Sequence, residues 1–169
     1  MTTVTELGAL PIHAVDFQRF GRVVNLAASG PEVVEDHGAE WTGRHTRGPL
    51  LDLPGHLGIT TGPPLTTPLT VMERHTDTRE ALFCLADPVV VAVAPADTDV
   101  PMCSEVVAVV IRPGDVVVLD EGVWHSPCWG LHGPTPYYWY AAVDDSRVTV
   151  WEPILDGPIR VYVDGGDGR

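Results

Sequence analysis

The stretch "TVMERHTDTREALFCL", residues 70–85, sets ionisable side chains into an otherwise apolar run. Along a strand, residues two apart share a face, so Glu73 and His75 point together while Arg74 points the other way. Glu80 follows across a turn, at the start of a run that can lie beside the first. A second histidine, His125, arrives from "RPGDVVVLDEGVWH", where Pro-Gly-Asp and Asp-Glu-Gly read as turns around a buried strand. Two imidazoles and two carboxylates converging inside a barrel make a mixed nitrogen and oxygen set. That set suits a divalent Mn, Fe, Ni or Zn ion, with positions left for water or substrate. An isolated Glu-x-His pair on a strand more often marks a solvated or ion-paired face; the downstream histidine is what favours a site.

Within this set Glu80 is either a fourth ligand or a base. His125 is the alternative proton carrier, because an imidazole titrates near neutral pH. Four further residues are candidates for contact with a substrate. Tyr138 and Tyr140 share one face of "PYYWYAAV" while Trp139 takes the other; Trp124 adjoins His125; His45, in "WTGRHTRG", can reach a barrel mouth from an edge strand. Core packing competes with this role for the aromatics, and solvent exposure competes with it for His45.

The elements that must position these groups read as β-structure. Short runs rich in Val, Ile, Tyr and Trp recur between Pro, Gly and Asp: "HLGIT", "PLTVMERH", "EALFCL", "VVVAVAP", "EVVAVVI", "DVVVLD", "VWHSPCW", "YYWYAAV", "RVTVWEP" and "IRVYV". Such strands at close spacing predict a sandwich or a barrel, and the lack of strand–helix alternation disfavours a parallel α/β fold. Near the start, "PIHAVDFQRFGRVV" predicts a short amphipathic helix with Val15, Phe17 and Phe20 docked on the core and Gly21 ending it. Residues 28–40 are polar, acidic and turn-rich and read as a loop. No repeat or linker divides the chain, so residues 1–169 are expected to form a single domain.

Composition narrows the function classes. With 44% hydrophobic and 20% charged residues the chain is globular. Its formal net charge of −13 repels phosphate backbones and anionic membranes, so neither nucleic acid nor membrane is an expected partner. All ten basic residues are arginines, which excludes a lysine Schiff base and a P-loop. Three cysteines without CxxC spacing indicate neither a disulfide framework nor a thiolate zinc site. The N-terminal residues lack a basic start and an apolar core, and a cytoplasmic location is the expectation.

"ERHTDTRE" and "RPGDVVVLDEGVWH" together resemble the two motifs of the cupins, with Glu73 in place of a leading histidine. The resemblance implies a double-stranded β-helix (jelly-roll) barrel with a metal at its mouth, bound by Glu73, His75, Glu80 and His125. In order, "FQRFGRVV", "PLTVMERH" with "EALF", "VVVAVAP" and "GVWHSP" are similar to the ureidoglycolate lyases over roughly residues 15–130. This implies a lyase that splits ureidoglycolate into glyoxylate and urea in purine (allantoin) degradation, acting on that acid or a related one. Glu80 stands where the family usually has Gln, Ser126 interrupts a His-His-Pro, and Thr60-Thr61 replaces an Asn-Arg pair. Losing that arginine removes a bidentate clamp for a carboxylate, and gaining Glu80 adds negative charge, favouring a cation. Other readings of the same residues are a cupin isomerase, epimerase or Fe-dependent oxygenase, and a non-catalytic cupin that binds a small ligand. Edge strands need covering, so a homodimer is expected.

Overall fold

The structure, a computed structural model, describes residues 4–142 and 149–164. The first half of the chain contributes β1 (Thr5–Gly8), β2 (Leu10–Pro11), β3 (Gly21–Asn25), β4 (Val33–His37), β5 (Thr42–Thr46), β6 (His56–Gly62), β7 (Val71–Arg74) and β8 (Glu80–Phe83). The second half contributes β9 (Val89–Ala94), β10 (Val107–Ile111), β11 (Asp115–Leu119), β12 (Trp124–His125), β13 (Trp129–Gly130), β14 (Thr135–Ala141), β15 (Val150–Pro153) and β16 (Ile159–Tyr162). The expected N-terminal helix is not formed. Two 3-10 turns, Ile12–Ala14 and Phe17–Arg19, stand there instead, and the end of the segment is strand β3. The physical reason lies at Gly21, whose φ of 139° breaks any helical continuation; a Cβ there would sit 1.9 Å from the Val118 carbonyl oxygen. Ile12, Phe17 and Phe20 are buried nonetheless, so the apolar spacing served docking rather than a helix.

Two sheets face one another. One runs β15-β7-β12-β9-β10-β2, with β13 also paired to β9; the other runs β3-β11-β8-β14-β6. Between them Val91, Val93, Val109 and Ile111 of the first sheet meet Leu82, Val117, Leu119 and Tyr137 of the second. The unbroken apolar runs follow from a further layer on each side. Alternate residues of β9, Val90, Ala92 and Ala94, pack outward against Ile159 and Val161 of β16, which pairs in parallel with β1. Val116 and Val118 of β11 pack outward beneath Val33 of the β4–β5 hairpin. Strands covered on both faces cannot alternate polar with apolar. Each fully buried Val or Leu contributes roughly 1.5–3 kcal/mol relative to exposure.

The result is an all-β, cupin-like sandwich. Among the described residues its two main sheets are not joined into one closed ring. Of the sandwich or barrel expected from the strands it is therefore the sandwich, and the closed jelly-roll barrel implied by the resemblance to the cupins is not formed. The stretch read as a loop at residues 28–40 contains β4, paired along its length with β5. Its acid-rich sequence conceals a hairpin whose buried contribution is the single residue Val33. Among the described residues no helix is long and apolar enough to cross a membrane.

Candidate active site

Glu73 and His125 are directly opposite one another on adjacent strands, β7 and β12. His75 lies just past the end of β7, and its carbonyl accepts a 2.7 Å hydrogen bond from the Gly122 N–H. That bond ties the β11–β12 turn to the end of β7. Gly122 has φ 79°, the left-handed conformation that the turn into "VWH" requires and that glycine adopts without strain. Glu80 comes from the opposite sheet, as the first residue of β8 beside Leu119 and Ala141. The site therefore bridges the two sheets and depends on their packing.

His125 Nε2 lies 3.0 Å from Glu80 Oε2 and 3.7 Å from Glu73 Oε1, and His75 Nε2 lies 3.3 Å from the same Glu80 oxygen. The two imidazole centroids are 5.2 Å apart. His125 Nδ1 donates to the Val123 carbonyl at 3.1 Å, which directs Nε2 into the site. His75 Nδ1 faces the Thr149 hydroxyl at 3.4 Å. Glu73, His75 and His125 each offer one ligand atom within 4.8 Å of the others.

Proximity here is not ordinary pairing. His125 Nε2 and Glu80 Oε2 are buried, yet neither has a properly aligned hydrogen-bond partner. Buried atoms that converge without pointing at one another suit a cation between them. The donor set of two imidazoles and two carboxylates fits a divalent ion by the same chemistry. Electrostatics of the metal-free site agree. Burial raises Glu73 above the usual carboxylate range, against the opposing pull of His125. Burial also works to raise Glu80, but the closeness and positive charge of the His125 and His75 imidazoles outweigh it and hold its carboxyl at about 2. Burial would lower His125, yet Glu80 and Glu73 together raise it.

A cavity of about 320 Å³ opens on these groups; Glu73, His75 and Glu80 line it together with Thr60, Tyr137 and Trp139. Of the residues proposed from sequence, Glu73, His75, Glu80 and His125 come together. The other four do not. Trp124 sits on the opposite face of β12 from His125, fully buried, with the Arg74 guanidinium 4.3 Å above its ring and its indole N–H donating to the Thr98 carbonyl. Tyr138 and Tyr140 face outward, Tyr138 stacked on Phe83 at 5.5 Å and Tyr140 packed on the outer cluster. His45 is on the β4–β5 hairpin, exposed, with Nε2 3.2 Å from Asp36 Oδ2. The inward pair on β14 is Tyr137 and Trp139. Thr60, which the sequence marked only as a departure from the family, lines the cavity too, with Thr78 and Thr149, for which the sequence held no pointer.

Fold and site together define a small β-sandwich enzyme with a candidate metal centre between its sheets. The chain belongs to the ureidoglycolate lyase family, whose model matches residues 4–161. This supports a lyase-like activity. No curated protein sequence matches. Among solved structures, a dTDP sugar isomerase from Desulfovibrio desulfuricans G20 overlaps 80% of this chain and 83% of its own, with 11% identity and a TM-score of 0.47.

Proposed function

We propose that the chain cleaves the carbon–nitrogen bond of ureidoglycolate, or of a closely related small polar acid, releasing glyoxylate and urea. Glu73, His75 and His125 would hold a divalent ion, with Glu80 beside it. When bound, such an ion supplies a Lewis acid for the hydroxyl and carboxylate oxygens of the substrate. The observation that carries the reading is the convergence of buried His125 Nε2 and Glu80 Oε2, which form no aligned hydrogen bond, beside a cavity lined by Glu73, His75 and Glu80 and large enough for a small acid.

The chain's own residues account for the proton. Glu80 is held ionised, as a base must be, and faces the cavity from the sheet opposite the three ligand candidates. It takes the proton of the substrate hydroxyl as the carbon–oxygen double bond forms. The electron pair of the breaking carbon–nitrogen bond goes to nitrogen, and the same proton passes from Glu80 to that nitrogen. No proton is gained or lost overall. Tyr137, whose phenol burial pushes up, keeps its proton and can donate to a substrate oxygen.

The test is release of glyoxylate and urea from ureidoglycolate by the full chain supplied with Mn2+, with the His125→Ala variant alongside. The wild-type chain should release both products in equal amounts and the variant neither; a wild-type chain without turnover ends the reading. The homodimer belongs to this proposal as well. β6 is the last strand of its sheet, and Leu57 and Ile59 on it are 64% and 59% exposed. The outer cluster that includes Val33 of the β4–β5 hairpin does not take in Leu57 and Ile59, and a second copy would cover them.

A further inference from the structure

We propose that Trp139 sets the specificity of the pocket by stacking on a planar, uncharged amide or ureido group of the ligand; this deepens the reading of the site above and rests on it. Trp139 is directly opposite Gly58 across the β14–β6 pair and opposite buried Leu82 on its other side. A Cβ on Gly58 would fall 2.1 Å from both Cε2 and Cζ2 of the indole and 2.6 Å from Nε1. Gly58 is not in the left-handed region, so what the glycine supplies is space rather than a special backbone conformation. The ring lies across bare edge-strand backbone, fixed in place, and lines the cavity that Glu73, His75 and Glu80 also line.

The rest of the lining says what such a ring would recognise. Around the cavity stand the hydroxyls of Thr60 and Tyr137, the Thr149 hydroxyl that faces His75, and two carboxylates, while the Thr78 hydroxyl is already bonded to the Arg79 carbonyl and the Ala142 N–H; no described lining residue is an arginine. A ligand group held against Trp139 therefore meets hydrogen-bond acceptors and an aromatic face, with no cation to pair with a second carboxylate. A ureido or carboxamide group meets this description: it is flat and neutral, and its N–H groups donate to hydroxyl and carboxylate oxygens. Offset stacking on indole adds to its burial. One end of the ligand is anchored at the ion-binding groups and the planar end at Trp139.

The experiment measures calorimetric dissociation constants for two unreactive probes on the full chain with Mn2+. Ureidoacetate carries the planar group and lacks the reacting hydroxyl; glycolate carries the acid and hydroxyl and lacks the plane. Trp139→Leu should weaken ureidoacetate about tenfold and glycolate less than about twofold, whereas Trp139→Phe, which keeps a ring, should preserve most of the preference. Gly58→Ala, which displaces the indole, should reproduce the Leu result. The ratio of the two constants is internal to each variant, so a partly folded sample does not mimic the outcome. Equal losses for both probes, an unchanged ratio in Trp139→Leu, or no ureidoacetate binding to the wild-type chain would overturn the inference. Wild-type turnover of ureidoglycolate is read separately. Its absence with the probe preference intact defeats the reaction assigned above and leaves the stacking role standing.

Discussion

Glu80→Gln isolates the electrostatic heart of the site. In the folded, metal-free chain Glu80 is held at about 2 against an ordinary 4.5, because two imidazoles outweigh the cost of its burial. Each pH unit of such a difference is worth about 1.4 kcal/mol, so the ionised carboxylate stabilises the fold by about 3 kcal/mol near neutrality. The same contact raises His125, and the two shifts describe one interaction and are not added. Because the folded value lies below the unfolded one, this stability is present above pH 4.5 and is lost as the pH falls from 4.5 toward 2. The Gln variant keeps shape and hydrogen-bonding capacity but carries no charge. Urea denaturation of the metal-free proteins at pH 7 should show a loss of about 3 kcal/mol, and a melting temperature lower by about 6–12 °C. At pH 2.5 the gap between the two proteins should shrink. A loss below about 1 kcal/mol at pH 7, or a gap that does not narrow in acid, would show that the imidazoles and Glu80 do not interact as the distances indicate.

His75→Ala should lower turnover by about 10²-fold or more and abolish retention of Mn2+ after desalting, with circular dichroism unchanged, since the side chain is outside the apolar core. Burial pushes the Cys84 thiol up to about 11 and the Cys128 thiol still further from reactivity, while Cys103 is partly exposed. Iodoacetamide at pH 8 should therefore add a single label to the native chain by mass spectrometry; two or three labels would contradict the packing. Ile59→Glu, on the exposed outer face beside β6's free edge, should shift the chain from dimer to monomer in size-exclusion chromatography with light scattering. A wild-type monomer would remove that part of the proposal.

What the sequence revealed and what it concealed divide along local and non-local lines. The Glu-x-His pair was legible because period two needs only neighbouring residues, and each of the ten β-like runs contains a strand over at least part of its length. In "PYYWYAAV" the same rule separated Tyr138 and Tyr140 from Tyr137 and Trp139, but an all-aromatic run gives no sign of which set faces inward. Only the pairing of Trp139 with Leu82 and Gly58 decides it, and that register joins residues about 60 to 80 positions apart. Trp124 was associated with His125 through adjacency in the chain, which on a strand puts the two on opposite faces. The helix expected before Gly21 failed for a related reason: apolar spacing at Ile12, Val15, Phe17 and Phe20 fits turns wedged against a core as well as a helix. His45 required knowledge of which layer its strand joins, and it belongs to the hairpin on the far side of the second sheet from the site.

The most direct test of the account is to locate a bound ion by anomalous diffraction from crystals of the full chain soaked in Mn2+. The account predicts one strong peak within ligand distance of His75 Nε2, His125 Nε2 and a Glu73 oxygen, with Glu80 adjacent, and its loss in His125→Ala. A peak elsewhere, or none between the two sheets at saturating Mn2+, would contradict it.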